Sequence, residues 1–329
     1  MNNKGQTDEV FKYIFGIIVG AMILIFFIGF AYKMMTSSDV KNDVELVLAI
    51  DNDLTAFSVS QSATNTIDYN RKMDLFVNEG MLIPSSLDSG QDTGKIIYSP
   101  MELQGKELYT ATKSFFMPYK VTNFFYITDK RTFYVIVYDQ GSKEFMEEIT
   151  EGYVSIPSNW DFDVYDQKIL SDNLVELTAL TQDYEKVRFI YLTEPEINPE
   201  GYFVNYDSVV IDSSDEEYDF GRITFEEGTS IYLGKEMLIG GFISENKDAY
   251  DYNLEEALGK LASVTKVYYD KAKFISTRLP SCDYAAVKTS LNNYKSYIGV
   301  EDSEQTYETY YNSLTEANKN LGGDCPEIF

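Results

Sequence analysis

The apolar positions change their spacing three times along the chain, and each change predicts a different element. Residues 13 to 32, Tyr13 through Tyr32, run without a single charge. Twenty residues at about 1.5 Å rise span about 30 Å, the thickness of a bilayer's hydrocarbon core, which predicts a transmembrane helix. Tyr13 and Tyr32 sit at its ends where amphipathic rings prefer the headgroup level, and Lys12 and Lys33 lie just outside. After the capping residues Thr36-Ser37-Ser38-Asp39, Val40, Val44, Val47, Leu54 and Phe57 recur at helical spacing, with Leu48 and Ile50 widening the stripe. This predicts an amphipathic stalk helix, continuing or restarting, that packs on the downstream domain.

From about residue 66 to 245 the runs become short and rich in β-branched and aromatic residues. Val121–Thr128 and Thr132–Asp139 flank Asp129-Lys130-Arg131, the pattern of a β-hairpin. A short helix over Lys143–Ile149 comes next. Further strands are predicted at Trp160–Tyr165, Val187–Leu192, Tyr202–Ile211, Ile223–Phe225 and Ile231–Leu233. This is an α+β domain with a mixed or largely antiparallel sheet, and an alternating α/β layout over 132–192 is the alternative. The last third is helical. One helix runs from Asn253 toward Leu279 and stops at Pro280; others cover Asp283–Ile298 and Ser303–Leu321, ahead of Gly322-Gly323. The expected organisation is a tail over 1–12, the spanning helix over 13–32, an α+β domain with its stalk over 33–252, and a helical unit over 253–329.

Composition narrows the function. A net charge of −26 argues against nucleic acid as a partner, because phosphates reward clustered Lys and Arg. The chain has no histidine, which removes Ser-His-Asp and Cys-His catalysis and most catalytic zinc sites. It holds no phosphate-cradling glycine loop, and no cofactor or enzymatic activity is expected. Three acidic groups are the metal candidates: Asp51 with Asp53; Asp161, Asp163 and Asp166; and Asp212, Asp215, Glu216, Glu217 and Asp219. Of these, Asp212, Asp215, Glu217 and Asp219 are the calcium candidates, although none of the groups has the spacing of a twelve-residue calcium loop.

The two cysteines carry the sharpest geometric expectation. Cys282 precedes one predicted helix and Cys325 follows the next, and only about four residues connect the two helices. Short connections make helices antiparallel, which brings the start of the first beside the end of the second. A disulfide between Cys282 and Cys325 is therefore expected, and it places the large domain in an oxidising compartment.

The start Lys4-Gly5-Gln6-Thr7-Asp8-Glu9, leading directly into the apolar run, resembles the class III signal of archaeal type IV pilins and related surface proteins. The resemblance implies cleavage between Gly5 and Gln6 on the cytoplasmic side, with the helix kept in the membrane or packed in a filament core. Val10 stands at the fifth mature position, where such pilins commonly carry glutamate. Met117 to Asn123 and Leu233 to Met237 are similar to uncharacterised single-span proteins of small-genome archaea, a group that implies a location rather than a chemistry. Gly16 and Gly20 form a small-xxx-small pair that lets a second helix approach closely. The expected protein is thus a single-pass cell-surface structural or interaction protein, a pilin-like subunit or its accessory, with its N-terminus in the cytoplasm. Its expected partners are the lipid bilayer, further copies of itself or other envelope proteins. The alternative is a membrane-tethered ligand-binding or sensor module.

Overall fold

The computed structural model describes residues 4–60, 62–87, 89–151, 156–215, 217–300, 303–321 and 325–329; in the first helix, side chains are described over 19–29 and from 41 onward. That helix, α1 (Lys4–Phe57), is uninterrupted over 54 residues, so the capping cluster at 36–39 caps nothing. Its far end packs down: Leu46, Val47, Ile50 and Leu54 are buried. Of the predicted stripe Val47, Ile50 and Leu54 are buried, whereas Val44 and Leu48 are exposed, so the packing face is narrower than the spacing predicted.

The spanning helix over 13–32 requires correction. Among the described residues no helix is long and apolar enough to cross a membrane. The apolar part of α1 with described side chains covers residues 19–29, about 16 Å at 1.5 Å per residue, or half of a hydrocarbon core. The stretch is the beginning of one long rod and not a separate twenty-residue element.

The strands form two six-stranded sheets. Sheet A holds β1 (Ser62–Asn78), β2 (Met81–Pro84), β3 (Gln91–Asp92), β4 (Ile96–Tyr98), β5 (Glu102–Phe116) and β6 (Lys120–Thr128), in the order β3-β2-β1-β5-β6-β4. All its pairings are antiparallel except β4 with β6. Sheet B holds β7 (Thr132–Tyr138), β8 (Phe162–Asp166), β9 (Lys186–Tyr191), β10 (Tyr206–Ser213), β11 (Phe220–Phe225) and β12 (Gly228–Leu233), in the order β8-β7-β9-β10-β11-β12. Strands β8, β7, β9 and β10 run parallel, and β11 and β12 close the sheet as an antiparallel meander. Helix α2 (Lys143–Glu151) lies between β7 and β8, and α3 (Gln167–Leu180) between β8 and β9. The α/β alternation, the alternative layout for 132–192, is thus what occupies that stretch.

The expected hairpin does not form. Strands β6 and β7 are consecutive, yet they belong to different sheets. Both are apolar on both faces, the mark of interior strands with a neighbour on each side rather than of a solvated hairpin. The linker between them is fixed by Asp129, 2% exposed, whose carboxylate accepts bonds from the backbone N–H of Gln104 (2.6 Å) and Arg131 (2.9 Å) and from Arg131 Nε (2.8 Å).

Three cores result. On the outer face of sheet A, α1 covers Leu75, Leu103, Leu108, Phe125 and Ile127. On the outer face of sheet B, Leu170, Leu174 and Leu177 of α3 cover Val135, Val187 and Phe189. The third core lies between the sheets and includes α4 (Lys235–Ile243), in which every residue from Met237 to Ile243 is buried. A helix apolar all round belongs in an interior. Two adjacent glycines let it fit. A Cβ on Gly240 would lie 2.7 Å from three ring atoms of Tyr98 in sheet A, and one on Gly241 would lie 2.2 Å from Ile223 Cδ1 in sheet B. Glycine here serves close approach on two opposite sides.

The C-terminal helices join the same central core. Helix α5 (Lys247–Arg278) starts about two turns before the predicted Asn253, because the cap is Asn246, which accepts a bond from Ala249 N (2.9 Å). Asn253 is instead buried inside the helix, donating to Ile97 O (2.8 Å). Helices α6 (Ala285–Tyr297) and α7 (Glu304–Lys319) fold back on each other. The Cys282–Cys325 disulfide closes their open end, with a Cα separation of 5.7 Å.

Candidate functional site

In an open parallel sheet, ligands gather beyond the carboxyl ends of the strands, where the strand order reverses. In sheet B that point lies between β7 and β9. Asp139 follows β7 directly, and its Oδ1 accepts from the N–H groups of Gly141 and Ser142 and from Ser142 Oγ, each at 2.9 Å. Its Oδ2 accepts from Thr193 Oγ1, just past β9, at 3.0 Å. These bonds, with the Ser142 backbone N–H first, hold its carboxyl below the usual range. Tyr218, at φ 57°, stacks on Phe145 with ring centroids 4.0 Å apart and donates to Leu192 O at 3.3 Å. The reversal point is therefore closed and its polar groups are satisfied.

The neighbouring concavity is better equipped. β12 runs parallel to β10, so it delivers Gly234 and the start of α4 to the same edge of the sheet. There, a cavity of about 200 Å³ is lined by Phe116, Phe220 and Tyr311 together with Glu148, Asp219, Lys235 and Glu236. Gly234 adopts φ 86°, and its N–H donates to Asp219 O at 2.6 Å. Lys235 Nζ lies 2.7 Å from both carboxylate oxygens of Glu148 and 3.9 Å from Asp219. Burial pushes the carboxyls of Asp219 and Glu236 up, and it pushes the amine of Lys113, 7% exposed, down against the pull of Glu236. The lining thus holds three carboxylates and one lysine. Such a site favours a small cationic group and holds protons more tightly than free carboxylates do.

Two of the larger cavities are already neutralised. One of about 560 Å³ lies against β11, β12 and α5, where Arg222 Nε bonds Glu304 (3.1 Å) and Asp251 takes both Ser230 and Lys247. The other, about 330 Å³, opens at the amino ends of β7 and β9. Arg188, 3% exposed, bonds Asp207 there at 2.6 Å and caps the C-terminal carbonyls of α4 at Gly241 (3.4 Å) and Ser244. Lys186 joins Asp207 (2.8 Å) to Glu245 (3.3 Å). This network clamps α4 to sheet B.

The residues singled out from sequence are mostly spent on structure. Asp215 uses both carboxylate oxygens on backbone N–H groups, those of Asp219 and Phe220, each at 3.1 Å. Asp212 and Glu217 do not line the cavity, Asp219 does, and Glu216 lies outside the described residues. Among the described residues, no group of three or more His, Cys, Asp or Glu is placed to hold a metal ion. Asp51 pairs with Lys95, Asp163 accepts from Val164 N (2.8 Å), and Asp166 caps α3 through Lys168 N (2.9 Å). A Cβ on Gly20 would meet nothing within 4 Å, whereas the surroundings of Gly5, Gln6 and Gly16 lie outside the described side chains. Glu148, Lys235 and Tyr311 do not stand out in the sequence as site residues. The one local signal is Gly234-Lys235-Glu236, a glycine and a charged pair opening an otherwise apolar run. No family model matches this chain, and no curated protein or solved structure does either.

Proposed function

We propose that the protein is an extracytoplasmic structural or interaction protein of the cell envelope, a pilin-like subunit or accessory, and that it assembles through α1. The supporting observation is the run Met22–Ile28, whose seven large apolar side chains are each 52–69% exposed. Full burial of such side chains is worth about 1.5–3 kcal/mol each, so covering the part still exposed yields on the order of 6–13 kcal/mol. That matches the whole stability of a typical domain and demands apolar cover. Helices of neighbouring copies and the apolar interior of the envelope provide it. The same helix is buried on sheet A at Leu46–Leu54, so the head is rigidly coupled to the assembling end. The disulfide supports an oxidising location for the head, and the Lys4-Gly5-Gln6 start supports processing between Gly5 and Gln6.

The test is to isolate the protein from its native envelope. A chain beginning at Gln6, with oxidised cysteines, running as a large assembly that Ile25→Lys disperses, is the expected result. A monomer in the soluble fraction, retaining Met1 and reduced cysteines, would overturn the proposal. A second reading, a tethered ligand-binding module, is favoured by the acidic cavity at the start of α4. Calorimetric titration with small primary amines tests it, and absence of heat with wild-type protein would remove it.

A further inference from the structure

Strand β1 is paired along only part of its outer edge. It bonds β5 on one side from Ser62 to Asp68 and again from Met73 to Phe76, but β2 reaches it on the other side only over Leu75–Asn78. Among the described residues, no strand pairs with the outer edge of 62–72. Natural sheets guard such edges with lysine, proline or a covering element. The segment Ser-Ala-Thr-Asn-Thr-Ile-Asp over 62–68 has neither lysine nor proline, and it carries one charge in a chain of net charge −26. Five of these seven residues are exposed, and Ala63 and Ile67 are half-buried. Asn159 Nδ2 touches the strand at Asn65 O (2.9 Å).

We infer that the free edge of β1 pairs with the same edge of a second copy, antiparallel about a twofold axis midway between Asn65 and the partner's Asn65. In that register Ser62 faces the partner's Asp68, Ala63 faces the partner's Ile67, and Thr64 faces the partner's Thr66. A hydroxyl meets the segment's only carboxylate, an alanine meets a β-branched isoleucine, and two threonines meet. Each pair is of a kind that stabilises antiparallel neighbours, and no like charges are opposed. A twofold axis between antiparallel strands passes midway between two directly opposed residues, so the outward-facing hydrogen-bonding groups of the two edges match without a register slip. The low charge of the segment is what lets two strongly acidic heads approach at this place rather than elsewhere.

The register fixes a distance. Directly opposed residues have Cα atoms about 4.5 or 5.5 Å apart, and both values fall within the disulfide range. Full-length Asn65→Cys protein, purified in detergent and mildly oxidised, is expected to form a covalent dimer at least ten-fold faster than Ser263→Cys, a control on the exposed face of α5. Full-length Asn65→Lys sets two ammonium groups face to face on the axis, and light scattering should show the dimer fraction falling at least ten-fold. Detergent covers the apolar run of α1, so this outcome is independent of the assembly reading. Equal cross-linking at positions 65 and 263, or an Asn65→Lys variant that keeps its native circular dichroism and stays dimeric, would overturn the inference.

Discussion

Replacing Gly240 and Gly241 separately by alanine tests whether α4 is wedged between two sheets. Alanine is worth about 1 kcal/mol more than glycine in a helix interior, so with free space both variants should be more stable than wild type. Space is absent on both sides, but the two obstacles differ. At Gly241 the new Cβ meets only Ile223 Cδ1 below 3 Å, the free end of a branched side chain that can rotate. At Gly240 it meets three atoms of the Tyr98 ring at 2.7 Å. That ring is fully buried and held by Phe124, Tyr126 and Tyr250 at centroid distances of 5.3, 5.9 and 5.8 Å. Overpacking costs about 1–3 kcal/mol and more where the neighbour is fixed. Gly240→Ala should therefore lose about 2 kcal/mol or more, while Gly241→Ala stays within about 1 kcal/mol of wild type. The readout is urea unfolding followed by the single tryptophan, Trp160, which is 4% exposed and stacked on Tyr134 at 5.3 Å. Equal losses, or a larger loss at Gly241 despite its shorter contact, would refute the wedge argument.

Arg188→Met should cost about 1–3 kcal/mol, because it removes one of the two cations on Asp207 and leaves the buried carbonyls of Gly241 and Ser244 without their donor, while Lys186 still holds Asp207; the loss is read in the same urea assay. The Cys282→Ser, Cys325→Ser variant should lose up to about 4 kcal/mol in the chain-entropy model for a separation of 43 residues, a loss that wild type shows only after reductant is added. Asp139 has its folded pKa depressed, so its contribution is complete above its ordinary value of 3.8 and is lost as pH falls through the folded value; unfolding midpoints of wild type and Asp139→Asn should differ at pH 7 and converge in strong acid. Asp219 is shifted the other way by burial, so the stability attached to its protonated form is present below 3.8 and lost as pH rises through its folded pKa. Asp219→Asn should accordingly be the more stable form at pH 7 by thermal melting.

The elements with a periodic apolar face were legible. Helices α5, α6 and α7 could be placed from their spacing, and the disulfide followed from where those helices begin and end. Strands β6 and β7 were recognisable as strands, but nothing local distinguishes a hairpin from two interior strands in different sheets. Helix α4 was invisible because a helix with no polar face has no period, and its paired glycines look like a break when they are in fact a fit. Helix α3 hid behind Asp166, which resembled part of a metal cluster and is its cap. The cavity could not be read at all. Glu148 and Lys235 are 87 positions apart and meet only because β12 and α2 deliver them to the same edge of sheet B. Asp219 was singled out, but as one carboxylate in a run, where its neighbours proved to be loop-building groups.

The central core draws its residues from Ile96 to Ile328, so it cannot close while the chain is still emerging. Sheet A and its outer core need nothing beyond Thr128, and by themselves they leave one broad apolar face of that sheet bare. About 200 residues must follow, and at roughly 5–20 residues per second they take about 10–40 seconds to appear. Throughout that interval the nascent chain offers Phe115, Phe124 and Tyr126 to any passing surface. Cys282 emerges near the close of the interval, and the only thiol it can then meet is Cys325. Oxidation therefore cannot trap a wrong pairing within one chain, and it locks a hairpin that is packed into the central core.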